Sequence, residues 1–231
     1  MKTIGLLGGM SWESTAEYYR LLNTLTRERL GGLHSARCVL YSVDFAEIER
    51  LQAAGRWEEA GEVLAGAAKA LEAAGAELLL LCTNTMHKVA DHVSAATSVP
   101  LLHLADATAE AVRAAGVRRV ALLGTAFTME QSFYKDRLAA GGLDVLVPGE
   151  EGRRTVHRVI YEELCAGVVR EESRAAYREI IRELVVAGGA EGVVLGCTEI
   201  ELLVRPEDSP VPLFPTARLH AEAAVARALE G

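Results

Sequence analysis

The sequence predicts an α/β protein with two pseudo-symmetric lobes, each built on a four-stranded parallel β-sheet. Two observations lead to this fold. The chain of 231 residues repeats itself after about half its length, and short apolar runs alternate with longer amphipathic stretches throughout. A repeat of this length is too long for a solenoid and indicates a duplicated domain.

The repeat consists of three matches that occur in the same order in both halves. The matching segments lie between 112 and 116 residues apart: Gly75–Glu77 with Gly189–Glu191, Ile4–Gly8 with Val120–Gly124, and Val99–Leu101 with Val211–Leu213. A nearly constant offset indicates that the two halves fold alike.

The predicted strands are mostly continuous apolar runs, as expected for parallel strands that are covered on both faces. We predict them at Thr3–Leu7, Arg37–Val43, Glu77–Leu81, Pro100–His103, Arg119–Leu123, Leu143–Val147, Gly192–Leu195 and Pro212–Phe214. The amphipathic helices are predicted at Glu13–Leu30, Trp57–Ala74, Ala105–Ala115, Met129–Ala140, Arg153–Leu164, Glu171–Ala187 and Thr216–Leu229. Residues 205–210 are rich in turn formers and are predicted to be a flexible surface loop.

The lobe boundaries follow from the position of two helices. Ala105–Ala115 and Thr216–Leu229 each follow the last strand of a half, and we expect these helices to exchange lobes. The first lobe would then comprise residues 1–103 with 216–231, and the second residues 104–215.

Composition excludes several classes of function. A net charge of −8 and a pI near 5.4 argue against binding to nucleic acid, which needs clustered Lys and Arg. We expect no membrane association, because no apolar run approaches the roughly 18 residues of a spanning helix. The four cysteines lack a disulfide or metal-ligand spacing and the N-terminus lacks a signal-peptide pattern, which favours a cytoplasmic protein.

Polar clusters follow several predicted strands, where open α/β sheets bind ligands. They are Gly8–Ser11, Thr83–Thr85, Gly124–Thr125 and Cys197–Glu199. Where a helix follows, its exposed N–H groups suit a carboxylate or phosphate. The histidines form no recognisable ligand cluster, and His87 with Asp91 is typical of a surface pair, so we propose no metal. Gln52 follows the second strand, where a loop could reach a substrate.

The repeat aligns Cys197 with Thr83, whereas Cys82 lies one position out of register. We expect a helix N-terminus to lower the pKa of the Cys197 thiol; the alternative is a small residue that packs the strand end. Since side chains alternate along a strand, Cys82 should face the packed side if Thr83 faces the ligand. Thr83, Asn84 and Thr85 could also serve as helix caps.

Taken together, the motifs resemble the aspartate/glutamate racemase family along the whole chain. The opening IGLLGGMSWEST is similar to the family's N-terminal signature, NTMH at residues 84–87 to its C-N-T-x-H motif, and GCTE at residues 196–199 to its second cysteine motif. This resemblance implies cofactor-independent amino-acid racemases with two flavodoxin-like lobes and the active site in the cleft between them, often as homodimers. The first family cysteine falls on Thr83, as in the branch specific for L-aspartate and L-glutamate.

The resemblance also implies roles for individual residues. Cys197 would remove the α-proton of a small amino-acid substrate, and Thr83 would relay a proton on the opposite face, which favours the L enantiomer. The residues expected to bind substrate are Met10, Gln52, Asn84, Thr85, Thr125, Thr198 and Glu199. No cofactor is expected.

Two other functions fit the same residues. One is a one-cysteine decarboxylase or maleate-type isomerase of the same superfamily, in which the thiol protonates an enediolate or attacks a double bond. The other is a two-lobed protein that binds a small carboxylate without turnover. Incorporation of solvent deuterium at the α-carbon of an amino acid distinguishes these functions.

Overall fold

The computed structural model describes residues 1–230, and within this range the chain forms two compact units. One unit comprises Met1–Leu104 and the residues from His220 onward, and the other comprises Ala105–Leu219. Each unit contains a four-stranded parallel sheet within the described range. The predicted α/β class with two parallel sheets is therefore confirmed.

The sheet of the first unit has the strand order β2-β1-β3-β4. Its strands are β1 (Ile4–Gly8), β2 (Cys38–Ser42), β3 (Leu78–Leu81) and β4 (Leu101–Leu102). The helices of this part of the chain are α1 (Trp12–Leu30), α2 (Phe45–Ala53), α3 (Trp57–Ala73) and α4 (Ala90–Ala96). Every residue of the central strands β1 and β3 is buried, which explains their uninterrupted apolar sequences.

The sheet of the second unit has the equivalent order β6-β5-β7-β8. Its strands are β5 (Arg119–Gly124), β6 (Asp144–Leu146), β7 (Gly192–Gly196) and β8 (Leu213–Pro215). The helices that follow β4 are α5 (Leu104–Ala114), α6 (Ala126–Glu130), α7 (Ser132–Ala140), α8 (Glu150–Glu162), α9 (Glu171–Val186), α10 (Ile200–Leu203) and α11 (Thr216–Leu229). The same strand order in both units explains the repeat in the sequence.

A glutamate immediately before β3 and another immediately before β7 join each of these strands to its neighbour. The Glu77 carboxylate accepts a hydrogen bond from the Thr3 N–H at 2.7 Å, and the Glu77 N–H donates to the Thr3 carbonyl at 2.8 Å. In the second unit, the Glu191 carboxylate accepts from the N–H groups of Arg118 at 2.8 Å and Arg119 at 3.0 Å. We call this arrangement the carboxylate latch.

The strand registers place Thr83 and Cys197 at equivalent positions. Leu7 of β1 pairs with Leu81 of β3, and Leu123 of β5 pairs with Leu195 of β7. Thr83 and Cys197 each lie two residues beyond these paired leucines. The equivalence found in the sequence is thus reproduced by hydrogen-bonded pairing inside each sheet.

The structure differs from the predicted segments in several places. The helix predicted at Met129–Ala140 is divided into α6 and α7, because Gln131 adopts an extended conformation between them. Helices α2, α4 and α10 were not among the predicted helices. The loop predicted to be flexible contains the 3-10 helix Pro206–Asp208, and the buried Asp208 carboxylate accepts hydrogen bonds from Arg174 at 2.8 Å and from Arg178.

Residues 1–230 contain neither a membrane-spanning helix nor a cluster of metal ligands. None of the helices there is both long enough and apolar enough to cross a membrane. No group of three or more His, Cys, Asp or Glu side chains within that range is placed to hold a metal ion.

Candidate active site

Cys197 lies immediately after β7 in the second unit and is only 8% exposed. The preceding residue must be small, because a β-carbon on Gly196 would lie 2.9 Å from the Leu123 carbonyl oxygen. The short helix α10 begins three residues later, and the Ile200 N–H donates to the Cys197 carbonyl at 3.1 Å. We refer to Cys197–Glu199 as the thiol segment.

The thiol of Cys197 donates a hydrogen bond to Oε2 of Glu199 at 2.9 Å. Burial raises the pKa of Cys197 well above its ordinary value, and the negative charge of Glu199 and this hydrogen bond raise it further. The expectation of a lowered pKa is therefore wrong. Helix α10 has only four residues, and its small dipole cannot offset burial next to a carboxylate.

In the first unit, the backbone beyond β3 alternates as predicted between the core and a more accessible side. Cys82 is fully buried, and its Sγ lies 3.9 Å from the Leu80 carbonyl oxygen. Burial raises the pKa of the Cys82 thiol. Thr83 is half-buried, and Asn84 and Thr85 are buried at the start of the 3-10 helix Thr85–Val89. We refer to Thr83–Thr85 as the hydroxyl segment.

The hydroxyl segment is held by a histidine whose role the sequence did not reveal. Nδ1 of His87 lies 2.7 Å from the Thr83 carbonyl oxygen, and the Leu104 N–H donates to Nε2 of His87 at 3.2 Å. His87 is 3% exposed, so the prediction of a surface pair with the exposed Asp91 is wrong. The four-residue spacing from Thr83 to His87 is the signal that could have indicated this contact, because it places the ring one turn beyond the carbonyl.

Met10 and Gln52 are buried in the first unit. Met10 follows Gly9 and is 5% exposed. Gln52 lies on helix α2 rather than in the expected loop, is 5% exposed, and donates through Nε2 to Sδ of Met86 at 2.9 Å. A thioether is a weak acceptor, so this amide makes a weak hydrogen bond at a buried position.

The glycine-rich turn after β1 is shaped by internal contacts. Gly9 has φ +92°, and a β-carbon there would lie 2.2 Å from the Val43 carbonyl oxygen, so only glycine fits. Its N–H donates to Oγ1 of Thr15 at 2.8 Å. Ser11 caps α1 by accepting from the Ser14 N–H at 3.3 Å.

Thr125 follows β5 in the second unit, at the position that corresponds to Gly9 after β1. Its hydroxyl caps α6 by accepting from the Thr128 N–H at 3.4 Å, and it is buried, like Thr198 and Glu199. Within the second unit, the structure brings Thr125 and the thiol segment to the carboxyl ends of the adjacent strands β5 and β7. Within the first unit, Met10 and the hydroxyl segment follow the adjacent strands β1 and β3.

The comparisons with known proteins agree with this architecture. The Asp/Glu/hydantoin racemase family matches residues 7–224. The crystal structure of a candidate Asp/Glu racemase from Yersinia pestis is 53% identical, covers 99% of this chain and 100% of its own, and has a TM-score of 0.93. The structure of an aspartate racemase homologue from Pyrococcus horikoshii is 38% identical, covers 99% of each chain, and has a TM-score of 0.88.

A more distant relative is also a racemase by name. The broad specificity amino-acid racemase RacX of Bacillus subtilis is 23% identical over 167 residues, which are 71% of this chain and 69% of that protein. The family match extends over nearly the whole chain. The chain belongs to the Asp/Glu/hydantoin racemase family.

Proposed function

We propose that this protein is a cofactor-independent amino-acid racemase of the aspartate/glutamate type that favours the L enantiomer. Cys197 is the base on one face of the α-carbon, and Thr83 is the proton relay on the other. Family membership supports racemase chemistry. The observation that carries the assignment of these residues is their equivalent register, two positions beyond the paired leucines of each sheet.

The first step requires a thiolate, but burial and Glu199 favour the protonated thiol. The hydrogen bond of 2.9 Å offers the route, because the Sγ–H bond can break with transfer of its proton to Oε2 of Glu199. The thiolate then takes the α-proton of the L substrate. The electron pair of the Cα–H bond moves into the α-carboxylate, which becomes an enediolate.

In the second step a proton returns to the opposite face. Thr83 donates its hydroxyl proton to the α-carbon and takes a replacement from solvent. A neutral hydroxyl is a far weaker base than a thiolate, so Thr83 returns a proton more readily than it removes one. This difference between the two sides is the reason for the proposed preference for L substrates.

The remaining predicted residues contact the substrate in this proposal. They are Met10, Gln52, Asn84, Thr85, Thr125 and Thr198. Hydroxyl and amide groups at these positions would stabilise the charge that develops on the α-carboxylate. Gln52 is a neutral amide where an acid-specific enzyme would place Arg or Lys, so aspartate, glutamate and neutral amino acids should be tested side by side.

The experiment is deuterium incorporation at the α-carbon in D₂O, followed separately for L- and D-aspartate, L- and D-glutamate and a set of neutral amino acids. We expect incorporation from L substrates with the D enantiomer as product, and Cys197→Ser should abolish it. Calorimetric binding of these amino acids without incorporation would instead identify a binding protein. Release of carbon dioxide from a substituted malonate, with no deuterium incorporation into the amino acids, would identify a decarboxylase.

A further inference from the structure

We propose that His87 is a positioning residue that holds Thr83 in the orientation needed for proton return, through a hydrogen bond to the Thr83 carbonyl. This inference rests on the proposed function. It adds a residue that acts through the Thr83 carbonyl and determines where the relay hydroxyl lies.

The two ring nitrogens of His87 have different roles. The Leu104 N–H can only donate, so Nε2, at 3.2 Å from this nitrogen, carries a lone pair. The proton of the neutral ring is therefore on Nδ1 and is donated to the Thr83 carbonyl oxygen at 2.7 Å. His87 thus links the hydroxyl segment to the first residue of α5.

A second histidine fixes the backbone segment that donates a hydrogen bond to His87. Nε2 of His220 lies 2.9 Å from the Leu102 carbonyl oxygen and donates to it, while the Tyr18 hydroxyl lies 2.9 Å from Nδ1. Burial lowers the pKa of His220 to about 4, so this ring is neutral at physiological pH. The chain from Leu102 to Leu104 is therefore held on both sides of His103.

The rings themselves are packed together within the first unit. His87 meets His103 edge to face with 4.4 Å between ring centroids, and His220 with 5.9 Å. All three side chains are at most 7% exposed. A ring confined in this way cannot rotate freely, so the position of Nδ1 is set by packing as well as by the Leu104 contact.

Holding the Thr83 carbonyl also directs the Thr83 hydroxyl. A β-branched side chain has few χ1 options once its backbone is fixed. Cys197 lies in the other unit and its thiol contacts Glu199 instead. Loss of the His87 bond should therefore impair proton return on the Thr83 side and leave proton removal by Cys197 largely intact.

Two substitutions separate the two ring nitrogens. In His87→Asn, the side-chain amide nitrogen can occupy the place of Nδ1 and still donate to Thr83. In His87→Gln, the amide group extends to the place of Nε2, and the donor to Thr83 is lost. His34→Gln, at an exposed histidine, is the surface control.

The measurement is the ratio of inversion to exchange with retention for an L substrate in D₂O. Exchange with retention reports the Cys197 side, and inversion requires proton return from the Thr83 side. We expect His87→Gln to lower this ratio by about 10-fold to 100-fold, the range for a misplaced reacting group, and His87→Asn and His34→Gln to stay within about threefold of wild type. A merely structural residue would lower both rates together and leave the ratio unchanged.

Other outcomes would overturn the inference. They are an unchanged ratio in folded His87→Gln, or an equal loss in His87→Asn and His87→Gln. Nitrogen-15 NMR of the wild-type protein tests the geometry without activity, and a cationic ring or a proton on Nε2 of His87 would contradict it even if His87→Gln fails to fold. Absence of exchange in wild type would instead overturn the proposed function, and with it any role of His87 in the reaction.

Discussion

Sγ of Cys197 donates to Oε2 of Glu199 across 2.9 Å, inside the core of the second unit. The carboxylate has two opposite effects on the same thiol. Its charge raises the pKa of Cys197 and keeps the proton on sulfur, and its position makes it the acceptor when that proton leaves. The proton therefore rests on sulfur, and in the proposed mechanism the thiolate forms when Glu199 takes that proton.

Glu199→Gln separates these effects. Removal of the charge should lower the pKa of Cys197, although burial will keep it above the ordinary value. We expect α-proton exchange at neutral pH to fall by about 10²-fold to 10⁴-fold, because the proton acceptor is lost. The thiol pKa is followed by ultraviolet thiolate absorbance and exchange by NMR in D₂O, with Glu179→Gln on the exposed face of α9 as control. Faster exchange in Glu199→Gln would show that Glu199 only restrains the thiol.

The buried cysteines should respond differently to substitution. Cys197→Ser keeps the shape of the side chain but replaces a thiol with a far less acidic hydroxyl, so α-proton exchange should disappear while the thermal melt changes little. Cys82→Ala should keep most of the exchange activity and lose about 1 kcal/mol of stability, because Cys82 is fully buried in the core of the first unit. Loss of exchange in folded Cys82→Ala would mean that Cys82, and not Thr83, is the second group.

Thr83→Cys should allow exchange of the D enantiomer. The register places residue 83 at the position equivalent to Cys197, and a thiol there could remove a proton from the second face. The change in volume is small and Thr83 is half-buried, so the fold should tolerate it. Deuterium exchange is measured on each enantiomer separately. Retained L activity without any gain on D substrates would contradict the assignment of residue 83 to the second face.

Asp208→Asn should destabilise the protein at neutral pH and make its stability less sensitive to acid. Burial raises the pKa of Asp208, but hydrogen bonds from Arg174, the Arg205 N–H and Arg178 outweigh it and lower the pKa to about 2. The unfolded value is near 4, so the stabilisation is complete above about pH 4 and is lost as the pH falls from about 4 to about 2.

The measurement is thermal unfolding of wild type and Asp208→Asn between pH 7 and pH 2. Hydrogen bonds to a charged group contribute about 2 kcal/mol, which corresponds to about 4–8 °C in melting temperature for a chain of this size. The difference between the proteins should shrink toward pH 2. A constant difference over the whole range would show that ionisation of Asp208 does not stabilise the fold.

Periodicity in the sequence was sufficient to locate all eight strands, because buried parallel strands such as β3 consist of uninterrupted apolar residues. Helix α2 was missed because it is short: its nine residues begin three positions after the strand and complete only about two and a half turns, too few for a clear periodicity. The strand-end positions of Thr83 and Cys197 followed from the repeat alone. The thiol pKa did not, because burial, the largest cause of its shift, depends on how the core packs around the sulfur.

His87 illustrates the same limit. A four-residue spacing in the sequence suits both a partner at Asp91 and a partner at Thr83, and only burial decides between them. Its second contact, with Leu104, comes from a residue 17 positions away. Contacts of that range depend on how β4 is placed beside β3, which local patterns do not determine.

The carboxylate latch is the same in both halves of the duplicated chain, whereas the residue at the end of the strand differs. Glu77 and Glu191 perform the same structural task in both halves, so any change there would weaken a sheet. Thr83 and Cys197 occupy matching places but are different residues, so this position accepts different side chains while the strand pairing stays the same. In the proposed mechanism the residue at this strand end determines which enantiomer is favoured, whereas the glutamate before the strand serves the sheet alone.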